Sequence, residues 1–66
     1  MDKNFKHGYF AADKDLQDPD YDLRQALASF RRDPATSRSQ QGYLQRLRDE
    51  SDRRDALWAY EKSNKQ

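Results

Sequence analysis

Five aspartates fall between residues 13 and 22, namely Asp13, Asp15, Asp18, Asp20 and Asp22, and closely spaced carboxylates are what a calcium loop is made from. Asp18, Asp20 and Asp22 match the first three ligand positions of an EF-hand loop. The match ends there, because the loop's turning glycine is replaced by Leu23 and its bidentate glutamate by Ser29. These carboxylates are therefore read as caps and favourable charges at the start of a helix, or as an acidic patch facing a basic partner. No metal is expected at them.

Catalysis has little to build on. The chain holds one histidine, His7, no cysteine and two isolated glycines, so a thiol nucleophile and a glycine-rich phosphate loop are excluded. His7 has Asp2 and Asp13 in its neighbourhood, but it stands in a polar N-terminal segment near open water, a poor setting for a catalytic base. No enzyme activity and no cofactor are expected.

A third group of residue types suits nucleic acid. Arg38, Gln40, Gln41, Arg46 and Arg48 cluster at the start of a helical stretch, and arginine and glutamine there contact phosphates and base edges when a helix enters the major groove. Against this, a helix-turn-helix joint is about three or four residues long, whereas residues 32–39 with Pro34 make a longer one. Asp49, Glu50, Asp52 and Asp55 also dilute the positive field that a phosphate backbone needs. Nucleic-acid binding is the alternative reading.

The aromatic side chains point elsewhere. Phe5, Tyr9, Phe10, Tyr21, Phe30, Tyr43, Trp58 and Tyr60 stand in a chain that is only 33% hydrophobic and has a mean hydropathy of -1.48. Tyr and Trp supply contact area with a polar handle, which suits them to interfaces. Leu23, Leu27, Phe30, Leu44 and Leu47 form the expected internal seam. Tyr43, Leu57, Trp58 and Tyr60 are the candidates for contact with a second copy or with a target protein.

Helices must position these groups. The chain has no Val or Ile, and Thr36 is its one β-branched residue, whereas Ala, Leu, Gln and Arg lose little entropy in a helix. An all-α fold follows. Phe5, Tyr9, Ala12 and Leu16 share one helical face, as do Leu23, Ala26, Leu27 and Phe30. Two Asp-Pro steps, Asp18-Pro19 and Asp33-Pro34, have the form of an N-cap followed by proline in the first turn. The spacing predicts helices over about 3–17, 19–32 and 39–62, the last much the longest. Gly8 inside the first costs about 1 kcal/mol of helix propensity. On the last, Tyr43, Leu44, Leu47, Ser51, Arg54 and Trp58 project within about 60° of one direction.

A chain of 66 residues with nine Leu and Phe builds only a thin core. The expected architecture is a helical hairpin with a long C-terminal helix, the first segment packing across it, that dimerises into a small bundle and buries the overhanging aromatic end. The net charge of +1 hides a separation: residues 13–22 sum to -4, and residues 23–66 to +4. Such polarity steers a charged partner or aligns two copies. Met1–Ala12 lacks the apolar run of a signal peptide and no stretch is apolar enough to span a bilayer, so a cytoplasmic location without membrane contact is expected. These features predict a small non-catalytic homodimer that modulates a protein partner, as an inhibitor or adaptor, through amphipathic aromatic-rich helices.

Overall fold

Each Asp-Pro step in this chain makes a turn between helices rather than starting one. The computed structural model describes residues 2–64, which form α1 (Lys3–Leu16), α2 (Leu23–Arg32) and α3 (Arg38–Asn64), with no strand among the described residues. Asp18 accepts a hydrogen bond from the Asp20 amide at 2.9 Å, folding the chain across Pro19 in an Asx turn. The cap of α2 is Asp22, whose carboxylate accepts from the Gln25 amide at 3.0 Å. The expected start at residue 19 is thus corrected to Leu23, because the carboxylate beside the apolar stripe takes the cap and buries Leu23 at once.

The second step behaves alike. Asp33 is extended (φ -124, ψ 91), as the residue before a proline is driven to be, and it closes α2. α3 then opens on a reciprocal cap. Ser37 Oγ accepts from the Gln40 amide at 3.0 Å, while Gln40 Oε1 accepts from the amides of Ser37 at 3.2 Å and Thr36 at 3.0 Å.

α2 runs antiparallel to α3. Its end lies with the start of α3, where the Phe30 and Tyr43 rings sit 6.1 Å apart, and its first residues face Ser51 and Arg54. α1 runs in the same direction as α3, pairing Asp2 with Arg38, Phe5 with Gly42 and Tyr9 with Asp49 in ascending order. Ala12, Leu23 and Leu47 are buried at the centre, with Leu16, Tyr21, Ala26, Leu27, Phe30 and Tyr43 packed around them. This is a small helical bundle in which the α1 and α3 pair, distant in sequence, is the more extensive contact.

Two glycines set the distance of that pair. A Cβ built on Gly8 would overlap the carbonyl oxygen of Ser39, and one built on Gly42 would overlap that of Phe5. Each glycine lies against the backbone of the other helix, an approach in which Cα–H groups meet carbonyl oxygens. The propensity penalty at Gly8 is therefore a condition of the fold.

Polar pairs flank the crossing. Arg38 donates to Asp2 at 2.8 Å, Tyr9 to Asp49 at 2.9 Å, Arg46 to Asp13 at 3.0 Å and Tyr43 to Asp15 at 2.6 Å. Such pairs and a narrow apolar centre let a chain so poor in apolar residues hold two helices together. The Tyr43 hydroxyl also lies 2.8 Å from that of Tyr21. Burial first, and then these bonds to Asp15 and Tyr21, push the Tyr43 phenol far above the usual tyrosine range.

Candidate functional site

The 27 residues of α3 span about 40 Å at 1.5 Å per residue, which explains the 45 Å long dimension of the molecule. α1 and α2 cover only its first half. Every residue from Asp52 to Lys62 is exposed, including Leu57 (47%), Trp58 (64%) and Tyr60 (68%).

Local pairing holds this end helical without tertiary cover. Glu50, 4% exposed, is the anchor. It accepts from Arg53 Nε at 2.9 Å and Arg53 Nη2 at 2.6 Å, from Arg54 at 3.0 Å and from Arg46 at 3.5 Å. The Arg53 hydrogen bonds, followed by those of Arg54, outweigh burial and hold the Glu50 carboxyl down at about 2. Two residues before the end of α3, the Lys62 ammonium lies 4.8 Å from the centre of the Trp58 ring, a cation–π contact.

Between α2 and this end of α3 runs an open groove of about 850 Å³. Leu23, Leu27, Ala28 and Trp58 supply its apolar lining, and Arg24, Arg31 and Arg54 its cationic rim, balanced by Asp20, Asp22 and Asp55. A smaller groove of about 400 Å³ at the opposite end is lined by Phe5, Phe30, Pro34 and Leu44 among others. The larger one combines apolar floor, aromatic anchor and charged rim, the make-up of a macromolecular contact.

The residues singled out from sequence separate into two sets. Leu57, Trp58 and Tyr60 all lie on the uncovered end of α3, on different faces of the helix. Tyr43 does not join them, since its ring packs on the core and its hydroxyl is engaged by Asp15 and Tyr21. The acidic run is largely occupied within the chain: Asp13 holds Arg46, Asp15 accepts from Tyr43, Asp18 makes the Asx turn and Asp22 caps α2. Asp20 lines the larger groove. Among the described residues no three His, Asp or Glu side chains gather as a metal cage.

The arginine and glutamine cluster is likewise engaged. Arg38 bonds Asp2 and Gln41, Gln40 is folded into the cap of its own helix, and Arg46 spans Asp13 and Glu50. Arg48 is exposed beside the smaller groove. His7 is exposed on α1.

The acid-first pair of Glu50 with Arg54 is legible in the sequence and forms, whereas Arg53, four residues after Asp49, bonds Glu50 instead. Sequence reasoning missed the burial of Glu50. Comparisons with protein families, curated proteins and solved structures find no match to this chain. No described helix is long and apolar enough to cross a membrane.

Proposed function

We propose that this chain is a non-catalytic binding protein that modulates a protein partner, and that the uncovered end of α3, with Leu57, Trp58 and Tyr60, makes the contact. One observation carries the reading: the exposed large apolar groups of α3 gather on the one stretch that no other element covers. A chain so poor in apolar residues has little reason to hold three of them in water unless another surface covers them. The adjoining groove widens the contact, and its rim of arginines and aspartates fits a partner surface carrying charges of both signs.

The alternative, nucleic-acid binding through Arg38, Gln40, Gln41, Arg46 and Arg48, has weaker support. Four of those five side chains already serve internal bonds, and recruiting them would cost the caps and ion pairs that hold α1 to α3.

A photo-reactive side chain tests the reading when placed at Tyr60 and, in a control, at exposed Gln17. In the cells that make this protein, the first position should yield one dominant adduct with another protein, and the control should not. Excess unlabelled chain should compete that adduct away, while a Leu57→Ser, Tyr60→Ser chain should not. Equal adducts from both positions, or adducts with nothing but this chain itself, would refute the reading.

A further inference from the structure

The exposed stripe of α3 carries a charge pattern that is complementary to itself. Arg54 and Asp55 lie four and three residues before Trp58, and Glu61 and Lys62 lie three and four after it. At about 100° per residue, Arg54 and Glu61 fall on one flank of the Trp58 direction, and Asp55 and Lys62 fall on the other.

When two copies of a helix meet antiparallel across a two-fold axis, each flank faces the same flank of the other copy. An axis through Trp58 then sets Arg54 of one copy against Glu61 of the other, and Asp55 against Lys62. The paired residues differ in height by about 1.5 Å, the rise of one residue, which is within reach of long side chains. Symmetry makes each pair twice.

We infer that the Trp58 stripe of α3 is the site of antiparallel self-association, with two Trp58 side chains meeting at the axis and two pairs of ion pairs closing the flanks. The end of each α3 then reaches into the groove between α2 and α3 of the other copy, where Leu23, Leu27 and Asp20 lie. Parallel pairing also sets opposite charges together, but α2 sits on this same side of α3 just below Trp58 and would be driven into its symmetry mate. Antiparallel pairing places the two bundles at opposite ends. Three further observations fit: Trp58 is 64% exposed in the isolated chain, Asp55 and Lys62 make no ion pair among the described residues, Lys62 resting over the Trp58 ring that would face the axis, and Arg54 bonds Glu50 through Nε. Tyr60 points about 160° away from Trp58 on the helix, so the dimer leaves it to a different protein. The second copy then takes Trp58 and the groove, which leaves the face of Leu57 and Tyr60 to the partner proposed above.

The contact covers about three helical turns, less than a standard interface, so association is expected on the order of ten micromolar. Sedimentation equilibrium on the full chain from about 1 to 500 µM tests it, together with Asp55→Lys and Lys62→Asp, whose sites are exposed. Each substitution alone brings like charges together across the axis and should weaken association at least about tenfold. An equimolar mixture of the two should form a mixed dimer within about threefold of the wild-type affinity, because each like-charged chain then meets its opposite. Circular dichroism of the dilute Asp55→Lys variant should match the wild type, and Lys62→Asp, which also gives up the contact with Trp58, should lose no more than the last turn of α3. A wild-type chain that stays monomeric throughout overturns the inference. So do single variants that associate like the wild type, and a mixture that fails to recover, which is the result a parallel dimer gives.

Discussion

Replacing Gly42 by alanine reverses the usual sign of a substitution inside a helix. Alanine in a helix interior is favoured over glycine by about 1 kcal/mol, so propensity alone predicts a more stable protein. Here the new methyl overlaps the Phe5 carbonyl oxygen of α1, with the carbonyl carbon at 2.8 Å. That neighbour is backbone and cannot rotate away. Relief requires α1 and α3 to separate by about 1 Å or more, and a gap of that size forfeits up to about half of the dispersion attraction along the contact. The methyl therefore loosens Ala12 and Leu47, both fully buried, and stretches the flanking bonds that Asp13 and Asp15 accept. Overpacking costs about 1–3 kcal/mol, and a backbone neighbour puts this case at the upper end. After the propensity gain, the net loss is about 2 kcal/mol, or a fall in Tm of about 8–16 °C for a domain this small. Gly8→Ala meets the Ser39 carbonyl and should lose a similar amount. The two share one crossing, so the double variant should lose clearly less than the sum. Thermal and urea unfolding followed by circular dichroism at one fixed concentration measures all three. Ala56→Gly on the uncovered end of α3 is the control, expected to cost no more than about 1 kcal/mol. A Gly42→Ala protein that melts at or above the wild type would refute the close-crossing account.

Three other outcomes follow. The Glu50 carboxyl is held at about 2, below its ordinary 4.5, so the stability it supplies is complete above pH 4.5 and is lost as pH falls toward 2. Acid titration of the fold should show that loss, and Glu50→Gln should flatten it while lowering stability at neutral pH. Tyr43 shifts the opposite way: its contribution is complete below its ordinary 10.0 and is lost as pH rises beyond it. Tyr43→Phe should cost about 1–2 kcal/mol and remove the corresponding alkaline step in the unfolding midpoint. Leu57→Ser and Tyr60→Ser touch exposed positions and should change stability by no more than about 0.5 kcal/mol, while the unlabelled double variant should fail to compete away the adduct formed from position 60.

Much of the fold can be read from residue types. The absence of Val and Ile gives helices, the stripe Leu23, Ala26, Leu27 and Phe30 gives the face of α2, and the overhang of α3 follows from counting residues against the two shorter helices. What the sequence hides is set by neighbours far along the chain. Gly8 and Gly42 read as flaws until α1 and α3 are brought together. Tyr43 resembles Trp58 in composition and periodicity, yet it lies where α1 and Tyr21 reach it and Trp58 lies beyond them. The Asp-Pro steps mislead for a local reason, since Asp18 bonds Asp20 across its proline and leaves capping to Asp22, while Gln40 serves Ser37. Glu50 shows the same limit: its i+3 and i+4 arginines are visible in the sequence, but its burial is not.

The claim that organises the rest is that α3 passes from a covered half to an uncovered half that awaits another surface. Residue-resolved amide hydrogen exchange of the dilute chain tests it most directly. Amides from Arg53 to Lys62 should exchange on the order of 100-fold faster than those around Leu47, because a helix without tertiary cover opens locally at lower free energy than the core. Raising the concentration through the association range should slow the amides around Trp58 and leave those around Leu47 unchanged. An end of α3 that exchanges as slowly as Leu47 in the dilute chain would contradict the account, because it would mean that the helix is already covered.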